Sequence, residues 1–364
     1  MGNKTIVPFG PQHPALPEPI HIDLVLEDER VVEAIPSIGF IHRGLEKLVE
    51  RKDFQEYVYV AERICGICSF IHGMGYCMAV EHIMNLEVPR RARILRTLWS
   101  ELSRMHSHMM WMGLLADAVG FESLFMHCWR VRELILDIFD MTTGGRVIFS
   151  VCKVGGVRRD VDADKLKIVK EKMAQIVEES KAVTHALLKD GSAMHRMRGV
   201  GVITNDQARE LGAVGPVARA SGMKFDMRTL GYAAYDEVKF DVASEEAGDC
   251  YARTAVRAKE YYEGAKIIQQ CVKLLEETEP SGSPIDVPVK GNPQGEYFMR
   301  LEQPRGEVMY YVRGNGTKFL DRMRVRTPTF ANIPALVEML KGADLADVPV
   351  LVLTIDPCIS CAER

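Results

Sequence analysis

Hydrophobic and polar positions divide the chain into β-like ends and a long helical middle. Residues 20–27, IHIDLVLE, alternate apolar with polar, the period-two signature of a half-buried strand. DER then reads as a turn and VVEAI as the returning strand, so residues 1–53 are expected to hold a β-hairpin. From Phe54 to Ile83 the period becomes helical, broken by a turn-like CGICS. Long helices are predicted at roughly 89–118, 122–141, 162–188 and 244–278, each bounded by Gly, Pro or Asn/Asp. The first of these is apolar over so much of its circumference that it belongs inside a bundle. Residues 199–222 form a glycine-rich connection, without the Gly-Lys-Ser/Thr of a phosphate loop or a strand entering Gly-x-Gly-x-x-Gly. GEYFMRLEQPRGEVMYYVRG predicts a second hairpin turning at PRG. A short helix at 332–342 and an apolar strand, VPVLVLTI, complete the pattern. The expected class is α+β, predominantly α: a central helical bundle (54–285) between an N-terminal hairpin region (1–53) and a β-rich C-terminal segment (286–364).

Composition narrows the function classes. With 47% apolar and 26% charged residues the chain reads as an ordinary globular protein, and its net charge of −4 gives no pull toward nucleic acid. The basic run PRRARILR (89–96) lies within a helical pattern and is expected to form a solvated or interface face. No run of about 18 apolar residues exists to cross a bilayer. The N-terminus lacks the apolar core of a secretory signal, and MGNKTI misses the Ser/Thr position of a myristoylation start, so a cytoplasmic setting is expected.

Nine cysteines in such a chain argue against a disulfide framework. Four form two Cys-x-x-Cys pairs, Cys65/Cys68 and Cys358/Cys361, whose tight turns can each present two sulfurs to one metal. Structural zinc is the usual occupant of four thiolates, but its pairs normally lie within tens of residues of each other. Soft thiolates suit nickel and iron equally, so the four cysteines alone leave the metal open.

The neighbouring residues carry a resemblance. ERICGIC followed by His72, together with the terminal DPCISCAER, resembles the large subunit of [NiFe]-hydrogenases. FGPQHP (9–14), HRGLEKLVE (42–50), GPVARASG (215–222) and the 248–270 segment resemble the 49-kDa-type subunit of respiratory complex I. A chain combining both is similar to the large subunits of membrane-bound, energy-converting hydrogenases of the Ech type. The resemblance implies a Ni–Fe centre whose iron carries CO and two cyanides. Nickel would be held by Cys65, Cys68, Cys358 and Cys361, with Cys68 and Cys361 also bridging to iron.

The resemblance assigns further roles. Proton release from H2 falls to a thiolate, taken as Cys361, and then to Glu18, which stands 47 positions before Cys65 as its counterpart does in soluble relatives. Arg305 in QPRGE matches an arginine over the open side of nickel, and Pro304 would pack near the diatomic ligands. His72 is expected to hydrogen-bond a bridging thiolate. Glu46 matches a Mg2+ ligand, but Arg364 replaces the histidine that completes that site, so a Glu46–Arg364 salt bridge is the alternative. Ser107 in HSH departs from the aspartate of soluble relatives, and His13 is read as part of a loop communicating with membrane partners.

The chain has no further cysteine grouping for an Fe–S cluster. The implied partners are therefore a small hydrogenase subunit with a [4Fe–4S] cluster, a ferredoxin-like Fe–S subunit, integral membrane ion-translocating subunits, and a maturation endopeptidase acting after Arg364. The Arg-rich face of 89–104 and the ICGIC region are candidate docking surfaces, at the cytoplasmic face of the membrane. Two alternatives stand beside this: a metal-free, quinone-linked complex I-like subunit, and a structural four-cysteine zinc protein.

Overall fold

The hairpin expected at 20–35 is present and acquires a third strand. In the computed structural model, which describes residues 4–14, 16–277 and 282–364, β1 (Thr5–Phe9), β2 (His21–Glu27) and β3 (Arg30–Ser37) form one antiparallel sheet in that order. Asp28 and Glu29 turn it with φ of 49° and 66°, a mirror-image turn that matches strand twist. Ile22, Leu24 and Leu26 point into the core from β2. Residue 278 of the last long helix and the first three residues of the chain lie outside the described residues.

Short helices α1 (Leu45–Leu48) and α2 (Tyr57–Ala61) and a 3₁₀ turn (Glu62–Ile64) lead to the first cysteine pair and to α3 (Ser69–Ile83), which is buried almost throughout. The bundle comprises α4 (Arg90–Ala118), α5 (Glu122–Thr143), α6 (Ala163–Lys189) and, after several short elements, α10 (Cys250–Glu277). The short strands β4 (Cys152–Lys153) and β5 (Gly156–Val157) lie between α5 and α6, and α7 (Gly191–Met197), α8 (Asn205–Glu210) and α9 (Gly215–Ala220) between α6 and α10. The glycine-rich connection thus contains two helices; α8 opens with a capping box between Thr204 and Gln207.

The second hairpin, β6 (Gln294–Gln303) and β7 (Gly306–Asn315), turns at Pro304–Arg305 and gains β8 (Leu320–Arg326). Its tip is fixed by glycine contacts. A Cβ on Gly215 (φ 64°) would sit 2.3 Å from the Cα of Gly306, so the GPVARASG backbone lies directly on the PRG turn. Helix α11 (Pro328–Leu340) begins four residues earlier than expected.

Two expectations are overturned. VPVLVLTI is helix α12 (Val348–Thr354), not a strand. Its β-branched run is equally compatible with a buried helix, and Pro349 suits the first helical turn. Packed among α4, α10 and α11, it satisfies its own backbone, which a strand without a neighbouring edge could not. The Arg-rich face of 89–104 is not a solvated docking face. Arg91, Arg96 and Arg104 are buried and paired with Asp160, Glu81 and Glu101. Only Arg90 and Arg93 are partly exposed, and both bond Glu237. Spacing reveals which residues share a helical face but not whether acids from elsewhere line it. Among the described residues, no helix is long and apolar enough to cross a membrane.

Candidate metal centre

The two cysteine pairs, 293 positions apart, meet inside the molecule. Cys65 and Cys68 flank the turn entering α3, and Cys358 and Cys361 flank the start of α13 (Ile359–Glu363). All four are buried. The Cys65 and Cys358 sulfurs lie 3.4 Å apart, those of Cys68 and Cys361 3.9 Å apart, and Cys65, Cys68 and Cys361 all fall within 4.8 Å of one another. A disulfide would need about 2.05 Å. Thiolates around one metal at about 2.3 Å stand roughly 3.8 Å apart, so the donor set fits a thiolate-bound metal.

Electrostatics agree. Burial opposes ionisation of Cys68, but hydrogen bonds from Cys361 and Cys65 and the charge of Arg305 hold its thiol below the ordinary range. Burial and the same sulfur neighbours push Cys361 well above it. Four clustered thiolates repel strongly at low dielectric, and a bound cation removes that penalty.

Arg305 sits at the hairpin tip facing this cluster and is 2% exposed, which excludes a solvent-facing turn arginine. Its Nε donates to the Asp356 carbonyl (2.8 Å), its Nη2 pairs with the Asp356 carboxylate (2.9 Å), and its Nη1 reaches Ser107 Oγ (3.4 Å). Asp356 has φ 55°, a left-handed conformation that Asp tolerates better than most residues, and this turns both its acceptors toward Arg305. Pro304 is buried beside it.

Glu18 lies in the loop between β1 and β2. One carboxylate oxygen accepts the Ser360 N–H at 2.7 Å, and the other is 3.6 Å from Cys358 Sγ and 3.3 Å from Ser360 Oγ. The structure therefore brings Glu18 to Cys358 rather than to Cys361: Cys358 faces the N-terminal loop, while Cys361, one turn on, faces α3. Burial, then the neighbouring Cys358 charge, raise the Glu18 carboxyl to about 7.

His72 is buried on α3 with Nε2 3.3 Å from Cys361 Sγ and Nδ1 bonded to the Tyr310 hydroxyl. Burial drives the imidazole down to about 3, and burial also keeps Tyr310 protonated. Tyr310 therefore donates to Nδ1, which leaves Nε2–H to donate to the Cys361 sulfur.

Arg364 Nε donates to Glu46 Oε1 at 2.8 Å; Arg324 and the Val325 N–H bond the same carboxylate. Burial opposes ionisation of Glu46, but those bonds, Arg364 first, hold its pKa below the usual carboxylate range. Two guanidinium charges thus occupy the surroundings of this candidate Mg2+ ligand. His13 packs on Phe9 with ring centroids 4.3 Å apart, in the loop that also carries Glu18.

Several residues that shape the site had no role assigned from the sequence. Arg43 bonds the carbonyls of Arg63, Ile64 and Ser360, tying the two cysteine segments together. Thr329 accepts the Cys358 N–H, and Glu363 accepts the N–H groups of Gly39 and Ile41. Arg43 lies within HRGLEKLVE and Asp356 within DPCISCAER, whereas Tyr310 and Thr329 gave no local signal.

Comparison with known proteins divides along the same lines. The family model described as respiratory-chain NADH dehydrogenase, 49 Kd subunit, matches residues 117–290 and 285–364, and that of nickel-dependent hydrogenase matches 43–117. The chain is similar to the carbon monoxide-induced hydrogenase of Rhodospirillum rubrum, 37% identical over 98% of this chain and 99% of the relative. It is also similar to a subunit of the F(420)H(2) dehydrogenase of Methanosarcina mazei, 35% identical over 100% of this chain and 98% of the relative. A chain of the membrane-bound sulfane sulfur reductase, an archaeal respiratory membrane complex, superposes with TM-score 0.94 at 31% identity, covering 100% of this chain and 99% of that one. The chain belongs to the family that unites nickel-dependent hydrogenases with the 49-kDa subunit of respiratory-chain NADH dehydrogenase.

Proposed function

We propose that this chain is the catalytic large subunit of a ferredoxin-linked, energy-converting [NiFe]-hydrogenase, catalysing 2H+ + 2e− = H2. The observation that carries the reading is the closed set of four buried sulfurs, with Glu18, Arg305 and His72 arrayed around it. Cys65 and Cys358 would be terminal nickel ligands, and Cys68 and Cys361 would bridge to an iron bearing CO and cyanide. When bound, this centre supplies heterolytic activation of H2.

The chain's own groups manage protons and charge. Cys358 hands a proton to Glu18 across their 3.6 Å contact, and Glu18 exchanges it at near-neutral pH toward the β1–β2 loop. Ser360 N–H and Oγ hold the carboxylate in place. Arg305, fixed by Asp356 and Ser107, keeps a permanent positive charge facing the sulfurs without titrating. His72 steadies the Cys361 thiolate through Nε2–H. Glu46 and Arg364 lock the C-terminal segment as a salt bridge, so Mg2+ has no part in the proposal.

Electrons would arrive from a small subunit with a [4Fe–4S] cluster, docked near the exposed Arg63 and Gly66, and ultimately from ferredoxin through an Fe–S subunit. Membrane subunits would translocate ions, with this chain peripheral at the cytoplasmic face. The similarity to the R. rubrum hydrogenase supports this; the similarity to the F(420)H(2) dehydrogenase chain supports the second reading, a metal-free coupling subunit. The test is H2 evolution from reduced ferredoxin by the purified complex. Evolution that disappears in Cys358→Ser is expected; a complex that reduces quinone but never evolves or consumes H2 would favour the second reading.

A further inference from the structure

A buried carboxyl, Glu62, lies away from Glu18 and has a place built for it. It sits in the 3₁₀ turn three residues before Cys65 and is 1% exposed. Ser150 Oγ donates to its Oε2 at 2.5 Å, while its Oε1 has no hydrogen-bond partner. Two backbone features accommodate it. Ser150 adopts φ 47°, a left-handed conformation that is strained for a residue with a Cβ and that aims its hydroxyl inward. On α3, Gly73 provides the space: a Cβ there would lie 2.8 Å from Glu62 Cγ and 2.9 Å from Oε1. Gly73 follows His72, which contacts Cys361, so the carboxyl packs against the backbone that carries both Cys65 and His72.

From Ser150 the contacts lead outward. Arg158 Nε donates to the Ser150 carbonyl at 3.1 Å, and its guanidinium lies over the Tyr59 ring at 4.7 Å. Arg158 and Tyr59 line an open cleft of about 480 Å³ with Gln55, Glu56 and Lys153. The charged groups acting on Glu62 are Arg63 from its own turn and Arg158 from this cleft, and on α3 it packs against Gly73. Burial outweighs the Ser150 bond and both arginines and raises the carboxyl to about 7.

We propose that Glu62 is a charge-compensating carboxyl: it takes one proton from solvent, by way of Ser150 and the Arg158–Tyr59 cleft, as one electron reaches the metal centre, and returns it when the electron leaves. One O–H bond forms on Glu62 as one breaks on hydronium or a buffer acid in the cleft, which leaves as water or the conjugate base. Ser150 gives its hydroxyl proton to Glu62 and takes the incoming one, and nothing else is oxidised or reduced. Glu62 acts on the centre through charge and position, without touching it. The proposal rests on the nickel–iron reading, whose partner cluster supplies the electron.

The test uses the intact complex. Infrared titration between about pH 5.5 and 8.5 is expected to show a protonated carboxyl band that fades around neutrality and is missing in Glu62→Gln. The one-electron potential of the nickel centre is expected to fall by about 59 mV per pH unit, the tenfold shift of one proton per electron, and to lose much of that slope in Glu62→Gln. Ser150→Ala, which leaves the carboxyl in place, is expected to slow the carboxyl's exchange with solvent deuterium. A wild-type band that does not titrate, or an unchanged slope in Glu62→Gln with nickel retained, would overturn the proposal alone. A wild-type complex without nickel would overturn the parent reading and this one together, as metal analysis shows before any variant is made.

Discussion

Two regions of this molecule bury charge, and they do so in opposite ways. In the middle of the bundle, Arg219 pairs with Glu260 (2.7 Å) and Glu302 (2.9 Å), and Arg228 with Asp226 (2.7 Å) and Glu101 (3.2 Å). Burial alone would raise Glu260, but Arg219 and His108 hold it down to about 2. At the cysteine cluster there are four thiols with Arg305 and a carboxyl raised to about 7. The first region is compensated mostly by the chain itself: arginine charges hold Glu260, Glu101 and Asp226 ionised, although burial raises Glu302 to about 7. The second is compensated only in part, which marks a place for an external cation and for proton traffic.

The largest effects should come from breaking the second region. Cys65→Ala or Cys361→Ala should abolish H2 turnover and metal retention while circular dichroism stays native; turnover in either variant would sink the ligand set. Arg305→Lys should reduce turnover by roughly a hundredfold or more with nickel retained, because a point charge replaces a fork held on Asp356 and Ser107. Near-normal rates would mean that the burial of Arg305 serves only packing. Glu18→Gln should slow H2/D+ exchange with bulk water by about a hundredfold while metal spectra stay unchanged.

The first region should answer in stability instead. Glu101→Gln leaves Arg228 and Arg104 short of a carboxylate and should cost about 3–5 kcal/mol in denaturant unfolding, with the infrared signature of the metal centre unmoved. Loss of that signature at equal stability would merge the two regions into one.

The smallest effect is a difference in pH response. Glu260 has its pKa lowered in the fold, so its contribution is present above the unfolded value near 4.5 and fades as pH falls toward 2. Glu62 has its pKa raised, so the unfolded chain releases that proton first and stability declines as pH rises from about 4.5 to 7, by up to about 3 kcal/mol. Glu62→Gln should reduce this slope between about pH 5 and 7.5 by Glu62's share, while Glu18 and Glu302, also raised to about 7, keep theirs. A slope undiminished in the variant would assign it wholly to other groups.

Much of the fold was legible in the sequence because the long helices and both hairpins carry strong periodicity. Helix α4 was expected at 89–118 and spans Arg90–Ala118. What escaped depends on partners distant in sequence. The arginines of α4 look solvent-facing until Glu81, Glu101 and Asp160 close on them, and VPVLVLTI looks like a strand until its surroundings enclose it on every side. In the site, the cysteines stand in paired motifs, and Glu18 was reachable by its spacing to Cys65. Glu62 sits in ERICGIC yet gave no sign of its role, since its setting is made by the backbone of Gly73 and Ser150.

The central claim is that the four sulfurs hold nickel and iron, and the most direct measurement is nickel, iron and zinc per chain in complex purified from its native host. The account predicts about one nickel per chain, with iron in excess of what the partner clusters require and no stoichiometric zinc. Zinc without nickel, or no metal at all at Cys65, Cys68, Cys358 and Cys361, would contradict it.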